Sequence, residues 1–149
     1  MKSAIQFPKL CKTLEYLIDH WGPIQGRTRL QKLVYLADQV WAQRHGKPYT
    51  EAVYYRWNHG PYSREFLKAL EWMDGVELLE DSENIGEGTP YRYSPGLSTR
   101  LRTIELDPAF VAVLEEVGQV WRSRPLRELL DHVYADEGFK SREFGEHLF

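Results

Sequence analysis

The chain has 149 residues, of which 42% are hydrophobic and 28% charged. That balance excludes an intrinsically disordered chain and supplies enough apolar side chains for one compact core. The net charge is −3, but residues 1–70 carry 11 Lys and Arg against 5 Asp and Glu (+6), and residues 71–149 carry 8 against 17 (−9). Such polarity steers an acidic partner, unless the two halves fold together and neutralise each other.

No run approaches the roughly 18 apolar residues of a membrane span. The start, MKSAIQFPKLCK, lacks the apolar stretch of a secretory leader. Cys11 is the only cysteine. It falls on an apolar helical stripe and reads as a small buried hydrophobe in a reducing compartment. The expected location is the cytoplasm.

In chain order, Leu10, Cys11, Leu14, Leu17, Ile18 and Trp21 recur at helical spacing and predict a helix over 8–20, ended by Gly22-Pro23. Leu30, Leu33, Val34, Ala37, Val40 and Trp41 mark an amphipathic helix near 27–44, with Gly46 to close it. AVYYRW alternates and predicts a short strand. NHGPYS is then a tight connection, with Pro61 in the first turn of a helix near 61–74.

VELLED (76–81) and TPYRYS (89–94) predict a hairpin around the acidic loop SENIGEG, expected to be exposed and mobile. A short helix is expected over 96–105. Asp107-Pro108 is an N-cap followed by an N1 proline, and Phe110, Leu114, Val117 and Trp121 form the inner face of the helix it starts. Ser123 is the expected cap of a last helix with Leu126, Leu129, Leu130, Val133 and Tyr134 inside. The tail from Gly138 carries Phe139, Phe144, Leu148 and Phe149, apolar residues that suggest docking on this chain or another.

The fold class expected is α+β and mainly helical: one domain over 1–149, with two N-terminal helices, a small antiparallel sheet or hairpin, and C-terminal helices. A helix followed by a hairpin makes it partly winged-helix-like. The tail 138–149 is expected to be mobile or docked on a partner.

Catalysis needs converging groups, and none has diagnostic spacing. No two of His20, His45, His59, His132 and His147 stand four apart, and Cys11 stands alone, so no metal site is expected. GPYSR is not a nucleophile elbow, because Glu65 occupies the place of the second glycine. No phosphate-binding loop is present, and no cofactor is expected. His59 lies among Trp57, Tyr62 and Arg64 but lacks an oriented partner in the sequence.

Two binding readings compete. Arg27, Arg29, Lys32, Arg56, Arg64 and Lys68 can meet phosphates, with 61–74 as the recognition helix of a winged-helix regulator. The wing is acidic, however, with Glu80, Asp81, Glu83 and Glu87, and this makes nucleic acid the weaker partner. A protein partner suits the same region better, since Trp, Tyr and Arg dominate interface energetics. The candidate contacts are Arg29, Lys32, Trp57, His59, Tyr62 and Arg64.

RTRLQKLVYLADQ, GKPY and YYRWNHGPYSREFLKAL together resemble the Panacea domain family, which includes the SocA-like antitoxins. The GRTRLQKL and GPYSRE wording is similar to that of YwgA-like proteins. Leu30, Gln31, Lys32, Leu33 and Tyr35 match the family's first helix motif, Gly46, Lys47 and Pro48 its turn, and Trp57, Gly60 and Pro61 its aromatic strand and GP step. LRELLDHVY (126–134) is similar to its late helix. The resemblance implies a non-catalytic module that neutralises a toxin by direct binding, or an adaptor that delivers the toxin to a protease.

Overall fold

The computed structural model describes residues 5–57, 60–82, 91–136, 140, 142–143 and 145–149, with the backbone alone at 57 and 60. The elements in order are α1 (Pro8–Trp21), β1 (Ile24–Gln25), α2 (Arg27–His45), β2 (Tyr55–Trp57), β3 (Gly60–Tyr62), α3 (Arg64–Met73), β4 (Leu78–Ser82), β5 (Tyr91–Pro95), α4 (Pro108–Trp121) and α5 (Leu126–Ala135). The protein is a mainly helical α+β fold. Its antiparallel three-stranded sheet has the order β1-β5-β4, and β2 and β3 form a separate hairpin. Helix, strand, helix, helix and hairpin follow one another as in a winged helix, with β2–β3 inserted ahead of α3.

Helix α2 is the centre. Residues 30 through 38 are all buried, so the helix is enclosed on every side rather than along one stripe. It packs against α4, α5, β1 and β3. Its apolar residues join Leu10, Leu14 and Ile18 of α1, Phe66 and Leu70 of α3, and Phe110 and Leu114 of α4 in one core. Gly46, with φ +86, closes α2 in a left-handed conformation that a side chain would strain. The thiol of Cys11 is buried, which pushes its pKa up to about 12 and leaves it unreactive.

Three local expectations are corrected. Pro61 lies in strand β3, and α3 begins at Arg64 behind Ser63. The Ser63 hydroxyl caps nothing. Residues 96–107 form no helix, because their backbone is spent elsewhere: Gly96 N–H donates to Glu77 O at 3.0 Å and Ser98 N–H to Val76 O at 3.4 Å. Buried Leu101 and the pairing of Arg100 with buried Glu77 (2.7 Å) pin the same segment. Helix α5 starts behind Pro125 rather than at a Ser123 cap. The Asp107 cap is as expected, its Oδ1 accepting from Ala109 N–H at 2.8 Å. The hairpin loop at 83–90 lies outside the described residues.

Gly118 of α4 is buried face-on against Trp21, and a Cβ there would overlap the indole ring. Helix propensity favours alanine over glycine by about 1 kcal/mol, whereas overpacking a filled contact costs about 1–3 kcal/mol. Gly118→Ala is therefore expected to lower the urea midpoint, and in a Trp21→Val background the same change should be neutral or stabilising.

Candidate functional site

The β2–β3 hairpin and the start of α3 form one braced unit, and a proline explains its layout. In the hairpin register, Tyr55 pairs with Tyr62, Arg56 with Pro61 and Trp57 with Gly60. Arg56 directs its own N–H and C=O away from β3, to Glu146 O (2.8 Å) and from Gly145 N–H (2.7 Å). Pro61 therefore stands where the ladder needs no N–H from it.

Its carbonyl faces the other way, into the interior. There the Lys32 ammonium donates to Pro61 O at 2.7 Å. Two residues on, Ser63 N–H donates to Gln31 Oε1 at 2.9 Å. Adjacent side chains of α2 thus satisfy the outer edge of β3, a carbonyl and an amide in turn. Glu65 adds a third tie, accepting from Val53 N–H at 3.1 Å.

The ties from Lys32 and Gln31 are buried, and that of Glu65 is partly so. Lys32 is 3% exposed, and burial lowers its pKa from 10.5 to about 8. Further along α2, Asp38 is fully buried and accepts from Thr50 N–H (3.0 Å), Thr50 Oγ1 (2.5 Å) and Tyr54 Oη (2.7 Å). Burial pushes its carboxyl up to about 6, although hydrogen bonds from Thr50 and Tyr54 pull the other way. Asp38 thereby fixes residues 49–54, which lead into β2.

The expected contact residues fall in different places. Lys32 has its ammonium inside, behind the hairpin. Arg29 is half-buried and donates to Trp121 O at 3.2 Å, at the C-terminal end of α4, where a cation is favoured. Tyr62, the last residue of β3, is half-buried, and Arg64, the first of α3, is exposed. The Trp57 side chain and His59 lie outside the described residues.

His20, His45, His132 and His147 are exposed and pack on Tyr16, Trp41, Trp121 and Tyr55 respectively. Among the described residues no group of three His, Cys, Asp or Glu side chains could hold a metal ion. No helix among them is long and apolar enough to cross a membrane.

Gln31 was legible only as part of a motif, and Asp38 went unmarked. Its signal was position: it stands four after Val34, on the apolar side of α2.

The fold and site define a small helical α+β domain that presents a braced turn between a hairpin and a helix. The chain matches the family described as antitoxin SocA-like, Panacea domain, over residues 30–138, and it belongs to that family. The match runs from the first residue of the buried α2 stretch past the end of α5. No curated protein matches the chain.

Lys32→Met should cost about 1–3 kcal/mol in urea denaturation, because Pro61 O loses its buried donor. The native Lys32 pKa of about 8 lies below the ordinary lysine value of 10.5, so the folded state binds fewer protons between them. Its contribution to stability rises with pH across that window, and Lys32→Met should remove the rise.

Asp38 has the opposite sign. Its folded pKa of about 6 exceeds 3.8, so its contribution is fully present below 3.8 and is lost as the pH rises through about 6. Asp38→Asn should flatten that part of the stability profile.

Proposed function

We propose that the protein neutralises a toxin by direct binding, covering the toxin's functional surface with the turn that joins the β2–β3 hairpin to α3 and with the first turn of α3. Membership of the SocA-like antitoxin family carries this reading. The braced turn supports it physically. A surface already held by buried hydrogen bonds loses little freedom on docking, so more of its contact energy appears as affinity.

The proposed contacts are Trp57, His59, Tyr62 and Arg64, with Arg29 and Lys32 setting the frame from α2. Delivery of the bound toxin to a protease is a second use of the same surface. Neither use needs bond making or breaking by this chain.

The winged-helix order of elements favours a DNA-binding regulator as the second reading. Against it, α3 presents Arg64, Lys68 and Glu71 together, and the cleft beside it is lined by Glu71, Asp74 and the Arg27–Glu80 ion pair. The cleft is net negative, which opposes the counterion release that drives such binding.

The test is co-purification from the native host, then co-expression with the captured toxin. Growth rescue by the unaltered chain is expected. A Tyr62→Ala, Arg64→Glu double variant should weaken binding by roughly 30-fold or more, the loss of one hot spot, with an unchanged thermal midpoint. Binding of duplex DNA below micromolar with a steep salt slope, and no protein captured, would favour the regulator instead.

A further inference from the structure

The free side of β2 is not open: the segment Gly145–Phe149 lies along it and pairs with it through one isolated antiparallel bridge. Gly145 N–H donates to Arg56 O (2.7 Å), Arg56 N–H to Glu146 O (2.8 Å) and Leu148 N–H to Tyr54 O (3.0 Å), with Tyr55 bridged to His147. The N–H and C=O of Arg56 and the C=O of Tyr54 are thereby engaged by Gly145, Glu146 and Leu148.

The side chains divide unevenly. Leu148 is 6% exposed and sits in the core, whereas Phe149 is 43% exposed. Gly145, Glu146 and His147 are exposed. Among the described residues the segment is held to this face by three backbone bonds, by the inserted Leu148 and by ring contacts of His147 with Tyr55 and of Phe149 with Tyr35 and Tyr54, whereas β3 has in addition its buried ties to Gln31 and Lys32.

Phe149 is also a partition. Two clefts of about 260 and 270 Å³ flank it, one lined by Lys47, Pro48, Val53 and Tyr54, the other by Gln39, Gln43, Gly46 and Asp136. Phe149 borders both. Beneath it lie Tyr35 and Tyr54, with ring centres 5.7 and 5.8 Å away. The two clefts lie on either side of Phe149, beside the edge of β2 that Gly145–Phe149 covers.

We propose that the edge of β2 is an acceptor for an extended segment of a protein partner, and that Gly145–Phe149 is a built-in competitor occupying it. The partner segment runs antiparallel to β2 and carries an aliphatic residue followed by an aromatic one. The first fills the Leu148 site and the second the Phe149 site over Tyr35 and Tyr54. The rim mixes Lys47 and Glu51 with Gln39, Gln43 and Asp136, so recognition rests on backbone pairing and the two apolar residues rather than on charge. Strand addition of this kind draws affinity from the main chain and specificity from alternate side-chain pockets.

This deepens the antitoxin reading by naming what the partner inserts. Its test needs no toxin, so the two fail separately.

A fluorescent, amide-capped peptide of residues 140–149 is titrated into the full chain and into full-length Leu148→Asp. Saturable binding to Leu148→Asp is expected, at least tenfold weaker binding to the unaltered chain, and no competition from a peptide with Asp-Ala in place of Leu-Phe. No binding to natively folded Leu148→Asp overturns the proposal.

Should that variant fail to fold, hydrogen exchange on the unaltered chain decides. The Arg56 amide should exchange faster than that of Val34 in α2 and slow down in excess peptide. Equal protection, unmoved by peptide, overturns the proposal. A dimer in light scattering that Leu148→Asp dissolves would give the edge of β2 to a second copy and also overturn it.

Discussion

An enclosed helix must have every polar group it carries satisfied from its neighbours. Helix α2 is buried through nine consecutive residues, three of which are Gln31, Lys32 and Asp38. Water cannot reach these side chains, and leaving any one unpaired costs more than a typical hydrogen bond contributes. Each is therefore committed to a flanking segment: Gln31 and Lys32 to the edge of β3, and Asp38 to the chain entering β2. The hairpin is tied to the core by polar bonds as well as by apolar packing. Such bonds are directional, so they set its position and not merely its presence.

This coupling makes physical sense of two stretches of the sequence, LQK (30–32) and GPYS (60–63), that are about 30 residues apart. LQK supplies a buried carbonyl and a buried ammonium one residue apart. GPYS supplies the matching groups, a proline carbonyl and a serine amide, on the outer side of a short strand. Proline suits that strand because its partner Arg56 turns its backbone to the opposite side. A change to either motif strands a polar group on the other.

The division of charge between the two halves of the sequence is partly spent inside the fold. Arg27 of the basic half pairs with Glu80 of the acidic half at 3.2 Å and stacks over Tyr91, with 3.9 Å to the ring centre. Arg29 caps α4, and Lys32 is interior. The positive side chains left at the braced turn are those of α3, where Arg64 and Lys68 stand beside Glu71. A mixed face of this kind suits a protein surface with its own mixed charge better than a phosphate backbone.

Much of this architecture was legible in the sequence. Apolar spacing located α1, α2, α4 and α5 because burial repeats with the turn of a helix, and the Asp107-Pro108 cap was visible because its chemistry is local. The family wording was legible for the same reason. What only the tertiary structure decided was where backbone groups go. Pro61 satisfies the local rule for a first helical turn, yet it became a strand residue because Lys32 and Gln31, about 30 positions earlier, supply partners for that strand's outer edge. Residues 96–105 have helix-compatible spacing, yet their amides went to Val76 and Glu77. Leu148 had no period at all, and its burial followed from an open strand edge on β2. Periodicity reports which side chains avoid water; it carries no information about which distant atom claims a carbonyl or an amide.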